Sequence, residues 1–164
     1  MKYNTIELVE ELKRSEGVVL TVYKDSLGID TIGIGRNLKD RGISDEEFDM
    51  LHVSSMEEVY AVGINEGEAL YLATNDIRIV ETELLQKHPC VNELDPVRQM
   101  VLVDMAFNMG VPRLCGFKRM WENIYNKNFT GAASEMLDSR WATQVKSRAN
   151  RLADKMRVGT KTDW

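Results

Sequence analysis

No apolar run in this 164-residue chain approaches the roughly 18 residues that a membrane-spanning helix needs. The opening stretch MKYNTIELVEELKR alternates acids with apolar residues and lacks the apolar segment of a secretory signal. It therefore predicts accumulation in the cytosol, with any later export depending on outside help. Cysteine is scarce: Cys90 and Cys115 stand without ligand spacing and are expected as reduced thiols. His52 and His88 stand apart from each other, so no Cys/His set points to zinc, and no metal or other cofactor is expected. Internal repeats, linkers and low-complexity segments are also missing. A net charge of −5 without aromatic-interleaved basic runs argues against a nucleic-acid partner.

What is present is ordinary globular composition, 43% apolar and 29% charged, enough for one sizeable core or two small lobes sharing a helix. The charge is unevenly spread. Gly42 to Glu68 holds eight acids and no Lys or Arg, whereas Arg140 to Trp164 holds seven basic residues and two acids. Two solvated faces explain this, and so does a basic C-terminal edge that meets an anionic polymer.

Asn4 and Glu7 resemble a capping box, and Ile6, Val9 and Leu12 share a helical face, so a first helix is expected to about Arg14. Gly17 fits its stop. Leu20, Val22 and Tyr23 are β-formers, Ser26-Leu27-Gly28 signals a turn, and Thr31 to Gly35 alternates at period two with Gly33 and Gly35 on one face. SDEE and SMEE read as starts of short acidic helices. Asn65 and Glu68 form another capping box, followed by Ala69, Ala73, Ile77, Val80 and Leu84 at helical spacing, a long amphipathic helix to about Leu85. VRQMVLVDMAFNMG is apolar nearly all round and reads as a buried helix stopped by Gly110, with Asp104 as a core acid paired to a base. Shorter helices are expected around Phe117–Tyr125, Gly131–Leu137 and Lys146–Arg157. This order gives an α+β chain, mainly helical, with a short antiparallel sheet near its start.

Glu16 ends the first helix, and Asp25 and Thr31 follow nine and six residues later around the hairpin. Glycoside hydrolysis needs two carboxyl groups flanking the scissile bond, one protonated and one ionised. A Glu packed among Val18, Val19 and Leu20 would be partly desolvated, which favours its protonated form, whereas an Asp at a turn is wetter. A strand Thr nearby can hold a water. Spacing alone does not mark a site, because acid pairs nine residues apart are common and a Glu at a helix end usually faces solvent.

The exact string is more specific. EG-x6-YKDSLG-x2-TIGIG closely resembles the signature of the phage lysozymes of glycoside hydrolase family 24, of the T-even type. MAFNMG followed by GF, then SRW, NRL and RVGT, resemble the family's later motifs, in order along nearly the whole chain. The resemblance implies a single lysozyme domain over 1–164. Its N-terminal lobe covers about 14–64, its connecting helix about 66–85 and its helical C-terminal lobe about 92–164, with the first helix packed on that lobe. It implies a muramidase that cleaves the β-1,4 bond between N-acetylmuramic acid and N-acetylglucosamine by inversion. Glu16 would be the general acid, with Asp25 and Thr31 placing the water. Arg148 falls where the family sets an arginine near that Glu, and Phe107 on a position at the substrate cleft. The implied role is that of a phage endolysin held in the host cytoplasm, released through a holin-type pore, and acting as a monomer on peptidoglycan strands without entering the membrane. A lytic transglycosylase and a catalytically inactive peptidoglycan-binding module are the alternatives. The first needs no water-positioning pair and the second needs no acid.

Arg36 replaces the family's TIGIGH histidine, and an Arg36–Asp76 ion pair is expected. Three sugar-contacting positions also differ: Asn37 for an aliphatic, Met120 for a small hydroxyl and Glu135 for an amide. Asn37 can still hydrogen-bond a glycan and is kept as a substrate-binding candidate. Met120 and Glu135 are not.

Overall fold

In a computed structural model describing residues 1–160, the chain forms ten α-helices and three strands among the described residues. Residues 161–164, the end of the basic stretch and of the expected domain, lie outside those described. The chain divides into two compact units, one of Thr5–Ile77 and one of Met1–Asn4 with Arg78 onward.

The first unit opens with α1 (Thr5–Glu16), two residues longer than its periodicity suggested. Its buried face is Leu8, Val9 and Leu12, whereas Ile6, expected on that face, is 71% exposed. A three-stranded antiparallel sheet follows, ordered β1 (Val19–Lys24), β2 (Asp30–Gly33), β3 (Arg36–Asn37). β1 pairs Val19 with Gly33 and Tyr23 with Thr31, with an irregularity in between. The run from Thr31 to Gly35 is not one alternating strand. β2 ends at Gly33, and Ile34-Gly35 turn the chain into β3. The reason is conformational: Gly33 and Gly35 sit at φ +68° and +69°, in the left-handed region where a regular strand does not continue.

The two acidic starts form helices as read. Ser44 caps α2 (Asp45–Phe48) with a complete capping box to Glu47, and Ser55 caps α3 (Met56–Val62). Not all of these acids are solvated, since Glu47 and Glu68 are buried. The core of this unit gathers Ile32, Leu38, Val53, Val59, Ile64, Ala69 and Leu72. Ile64 N–H donates to the Leu20 carbonyl at 2.9 Å, tying the end of α3 to β1.

The long helix α4 (Glu66–Lys87) opens on the expected box. Glu68 N–H donates to Asn65 Oδ1 and Asn65 N–H to Glu68 Oε1, both at 2.8 Å. Ala69, Ala73, Ile77 and Leu84 are buried along it. Pro89 ends it in a 3₁₀ turn (Pro89–Glu93).

The second unit is helical and centres on α5 (Pro96–Met109), in which Val101 through Ala106 are all buried. Two short helices, α6 (Val111–Cys115) and α9 (Arg140–Val145), were not legible in the periodicity. The others are α7 (Lys118–Tyr125), α8 (Phe129–Leu137) and α10 (Ser147–Val158). α8 packs against α7 and α10, and α5 against α6 and α10. Two quoted motifs meet here: Trp141 of SRW, 1% exposed, donates its indole N–H to Asn108 Oδ1 of MAFNMG at 2.8 Å. Arg98 closes the end of α10 by donating to the Met156 carbonyl at 2.7 Å and the Arg157 carbonyl at 2.9 Å.

Candidate active site

Glu16 is the last residue of α1, where Gly17 N–H returns to the Lys13 carbonyl at 2.9 Å. Its side chain lies against Gly35. A methyl group built on that glycine would stand 3.3 Å from Glu16 Oε2 and 3.4 Å from its carboxyl carbon. The close approach left open by a missing side chain is therefore filled by the acid itself. The ends of α1 and of the hairpin meet at one carboxyl group.

Asp25 begins the turn after β1. Its Oδ1 accepts from Leu27 N–H at 2.8 Å and Ile29 N–H at 2.9 Å, while its own N–H donates to the Ile29 carbonyl at 3.0 Å. That carbonyl also accepts from the Thr31 hydroxyl at 2.9 Å. A single residue, Ile29, thus fixes both side chains, Asp25 through its N–H and Thr31 through its carbonyl. Oδ2 of Asp25 accepts no bond from any described residue. Thr31 is 4% exposed, and with its proton spent on Ile29 it can only accept from a further partner. Glu16 and Asp25 are both half-buried, so exposure does not separate them as their sequence settings suggested. Two backbone N–H groups of the hairpin hold the Asp25 carboxylate in place.

Tyr23, read from sequence only as a β-former, stands opposite Thr31 in the β1–β2 ladder. Its phenol pKa is raised, first by burial and then by the negative charges of Glu16 and Asp25. The charges of both acids thus act on this one side chain. The signal was available, since Tyr23 lies inside the YKDSLG string.

Behind β3, Arg36 is 2% exposed and uses all five of its N–H donors. Nε donates to Asp76 Oδ2 at 2.9 Å, forming the expected pair. Nη1 donates to the Gly42 carbonyl and Glu47 Oε1, both at 2.9 Å. Nη2 donates to Glu47 Oε2 at 2.7 Å and the Leu72 carbonyl at 3.1 Å. Glu47 was not foreseen. Burial opposes its ionisation, but the bonds from Arg36, from the Asn75 amide and from Ser44 N–H outweigh that and hold its carboxyl down at about 2. Arg41 adds a second cation at Asp76, 3.1 Å away. This cluster fixes the residue directly after Gly35, and so the turn against which Glu16 rests.

Asn37 spends its amide locally. Its Oδ1 accepts from Lys39 and Asp40 N–H, both at 2.9 Å, and its Nδ2 donates to Asp40 at 3.1 Å.

In the other unit, Asp104 is the paired core acid expected of it, and its base is Arg148. Arg148 Nε and Nη2 lie 3.0 and 2.8 Å from Asp104 Oδ1, both residues being buried. Phe107 is half-buried on the same helix as Asp104. Met120 and Glu135, the two altered positions left out of the site, line one cavity of about 280 Å³ with Phe117 and Ser139. No group of three or more His, Cys, Asp or Glu among the described residues could hold a metal ion.

Comparison with known proteins agrees with the order of motifs. The family model described as phage lysozyme matches residues 13–156. A probable T4-type lysozyme 1 of Dictyostelium discoideum is 32% identical over 91% of this chain and 92% of its own. A second from that organism, probable T4-type lysozyme 2, is 30% identical over 96% and 97%. The pre-baseplate central spike protein Gp5 of Enterobacteria phage T4 is 30% identical over 90% of this chain but 27% of its own length. With the small sheet, the long helix and the helical second unit in the order the motifs require, the chain belongs to the phage lysozyme family.

Proposed function

We propose that this lysozyme-family glycosidase cleaves the β-1,4 bond between N-acetylmuramic acid and N-acetylglucosamine in peptidoglycan, with inversion at the anomeric carbon. Glu16, in its protonated form, gives its proton to the departing glycosidic oxygen. A water on the opposite face of the ring donates one hydrogen to Asp25 Oδ2 and the other to Thr31 Oγ1, which leaves a lone pair for the anomeric carbon. The observation that carries this reading is the Ile29 backbone. It orients Asp25 and directs the Thr31 proton away, so both groups meet a water as acceptors. As the water attacks, one proton passes to the Asp25 carboxylate and the bond to the leaving sugar breaks.

The remaining assignments belong to the same proposal. Arg148, paired with Asp104, is a supporting residue of the site, as the family resemblance implies. Phe107 and the remaining N–H of the Asn37 amide contact the glycan. Arg36, Asp76 and Glu47 hold the turn at Gly35. The biological role is that of an endolysin acting on the cell wall after leaving the host cytoplasm through a holin-type pore, as a monomer.

Clearing of outer-membrane-permeabilised cells tests the reading. Glu16→Gln is expected to lose at least about a thousandfold, as removal of a general acid requires. Retention of clearing by that variant would end the assignment. An anhydro-muramic end on the products would convert it to a transglycosylase.

A further inference from the structure

The groups assigned to chemistry share a property that leaves a gap. Asp25 Oδ2 and Thr31 Oγ1 both meet a ligand as acceptors. A glycan ring presents hydroxyl and acetamido oxygens that need donors. Beside Thr31 on this sheet, Tyr23 carries an uncommitted hydroxyl donor. Its hydroxyl makes no hydrogen bond to any described residue, although the ring is half-buried. It stands directly opposite Thr31 in the ladder, so the two side chains share a face of the sheet. The charges of Glu16 and Asp25 both reach it, and together with burial they keep the phenol in its donor form across the neutral range.

We propose that Tyr23 is a substrate-positioning residue, whose hydroxyl donates a hydrogen bond to an oxygen of the bound sugar and holds the ring over Asp25 and Thr31. This rests on the preceding reading of the site and adds to it a contact with the substrate. The bond forms with substrate and transition state alike, so its loss weakens binding more than turnover. The β1 irregularity preceding Tyr23 resets the register so that Tyr23, rather than Thr21, meets Thr31.

The test is steady-state hydrolysis of soluble peptidoglycan glycan strands by wild type, Tyr23→Phe and Glu16→Gln, with urea unfolding of each. Phenylalanine keeps the ring and removes the hydroxyl. The expected result is a KM raised about 3- to 10-fold with kcat within about twofold, the worth of one neutral hydrogen bond. An unchanged KM, or a fall in kcat without a rise in KM, overturns the proposal. If Tyr23→Phe unfolds early, the same KM comparison is made at a temperature where both proteins are fully folded. Should Glu16→Gln remain active, the reading of the site fails. Should it be dead while Tyr23→Phe matches wild type, only the role of Tyr23 fails.

Discussion

Replacing Glu47 by glutamine removes one carboxylate from beneath a cation that has almost no access to water. Arg36 is 2% exposed, and Glu47 binds both of its terminal nitrogens, at 2.9 and 2.7 Å. Breaking a buried ion pair from one side costs about 3–5 kcal/mol, because the remaining charge stays desolvated. Here Asp76 still faces Nε, and the glutamine carbonyl can accept one of the two lost bonds. The amide end, however, points a donor at a donor. The expected loss is about 2–4 kcal/mol, a fall in Tm of about 5–15 °C for a domain of this size. Urea unfolding at pH 7 and thermal melting both read it.

The pH dependence supplies a second readout. The Glu47 carboxyl titrates at about 2 when folded against 4.5 for an ordinary glutamate, so its stabilisation is complete above 4.5 and is lost as the pH falls through 2. That contribution is at most about 3 kcal/mol. Asp76, whose carboxyl burial pushes up against the pull of Arg36 and Arg41, acts with the opposite sign, and in the variant it loses the smaller rise that the Glu47 charge gives it. The gap in stability between wild type and Glu47→Gln should therefore close from pH 4.5 down to 2. A loss below about 1 kcal/mol at pH 7, or a gap constant with pH, would refute the reasoning.

Gly35→Ala forces a methyl group to 3.3 Å from Glu16 Oε2 at a φ of +69°. About 1–2 kcal/mol of stability and at least about tenfold in cell clearing should go, and full clearing would show that Gly35 does not set the position of Glu16. Asp104→Asn removes the charge 2.8 Å from buried Arg148 and is expected to cost about 2–4 kcal/mol in urea unfolding, so an unmoved midpoint would contradict the pairing. With a net charge of −5 against anionic wall polymers, clearing should fall by less than about twofold from dilute to physiological salt, and a steep fall would contradict it.

The long helix, the buried helix and the two acidic helix starts were legible because periodicity and capping residues act locally. The ion pair of Arg36 with Asp76 was legible through the family resemblance, which supplied the missing distance. Glu47 was not: it lies in an acid-rich run and already serves as the third residue of a capping box. Only the folded chain shows that the same carboxylate also neutralises Arg36. The strand read through Gly35 failed because alternating hydrophobicity is indifferent to the sign of φ. α6 went unseen because it starts directly after Gly110, a sound stop signal for the helix before it. Tyr23 stayed hidden for a different reason. Its place inside the YKDSLG string was visible, but only the fold shows that it stands opposite Thr31 with its hydroxyl unspent.

The arrangement of Asp25 and Thr31 as joint acceptors for a water is the centre of the account, and the configuration of the first product tests it most directly. Proton NMR of glycan strands during the earliest turnover resolves the new reducing end before mutarotation. Attack by that water on the β-linked sugar should give the α-anomer, at a rate that falls at least about a hundredfold in Asp25→Ala. A β-anomer as the first product would mean a covalent or retained pathway and would contradict the assignment of both residues.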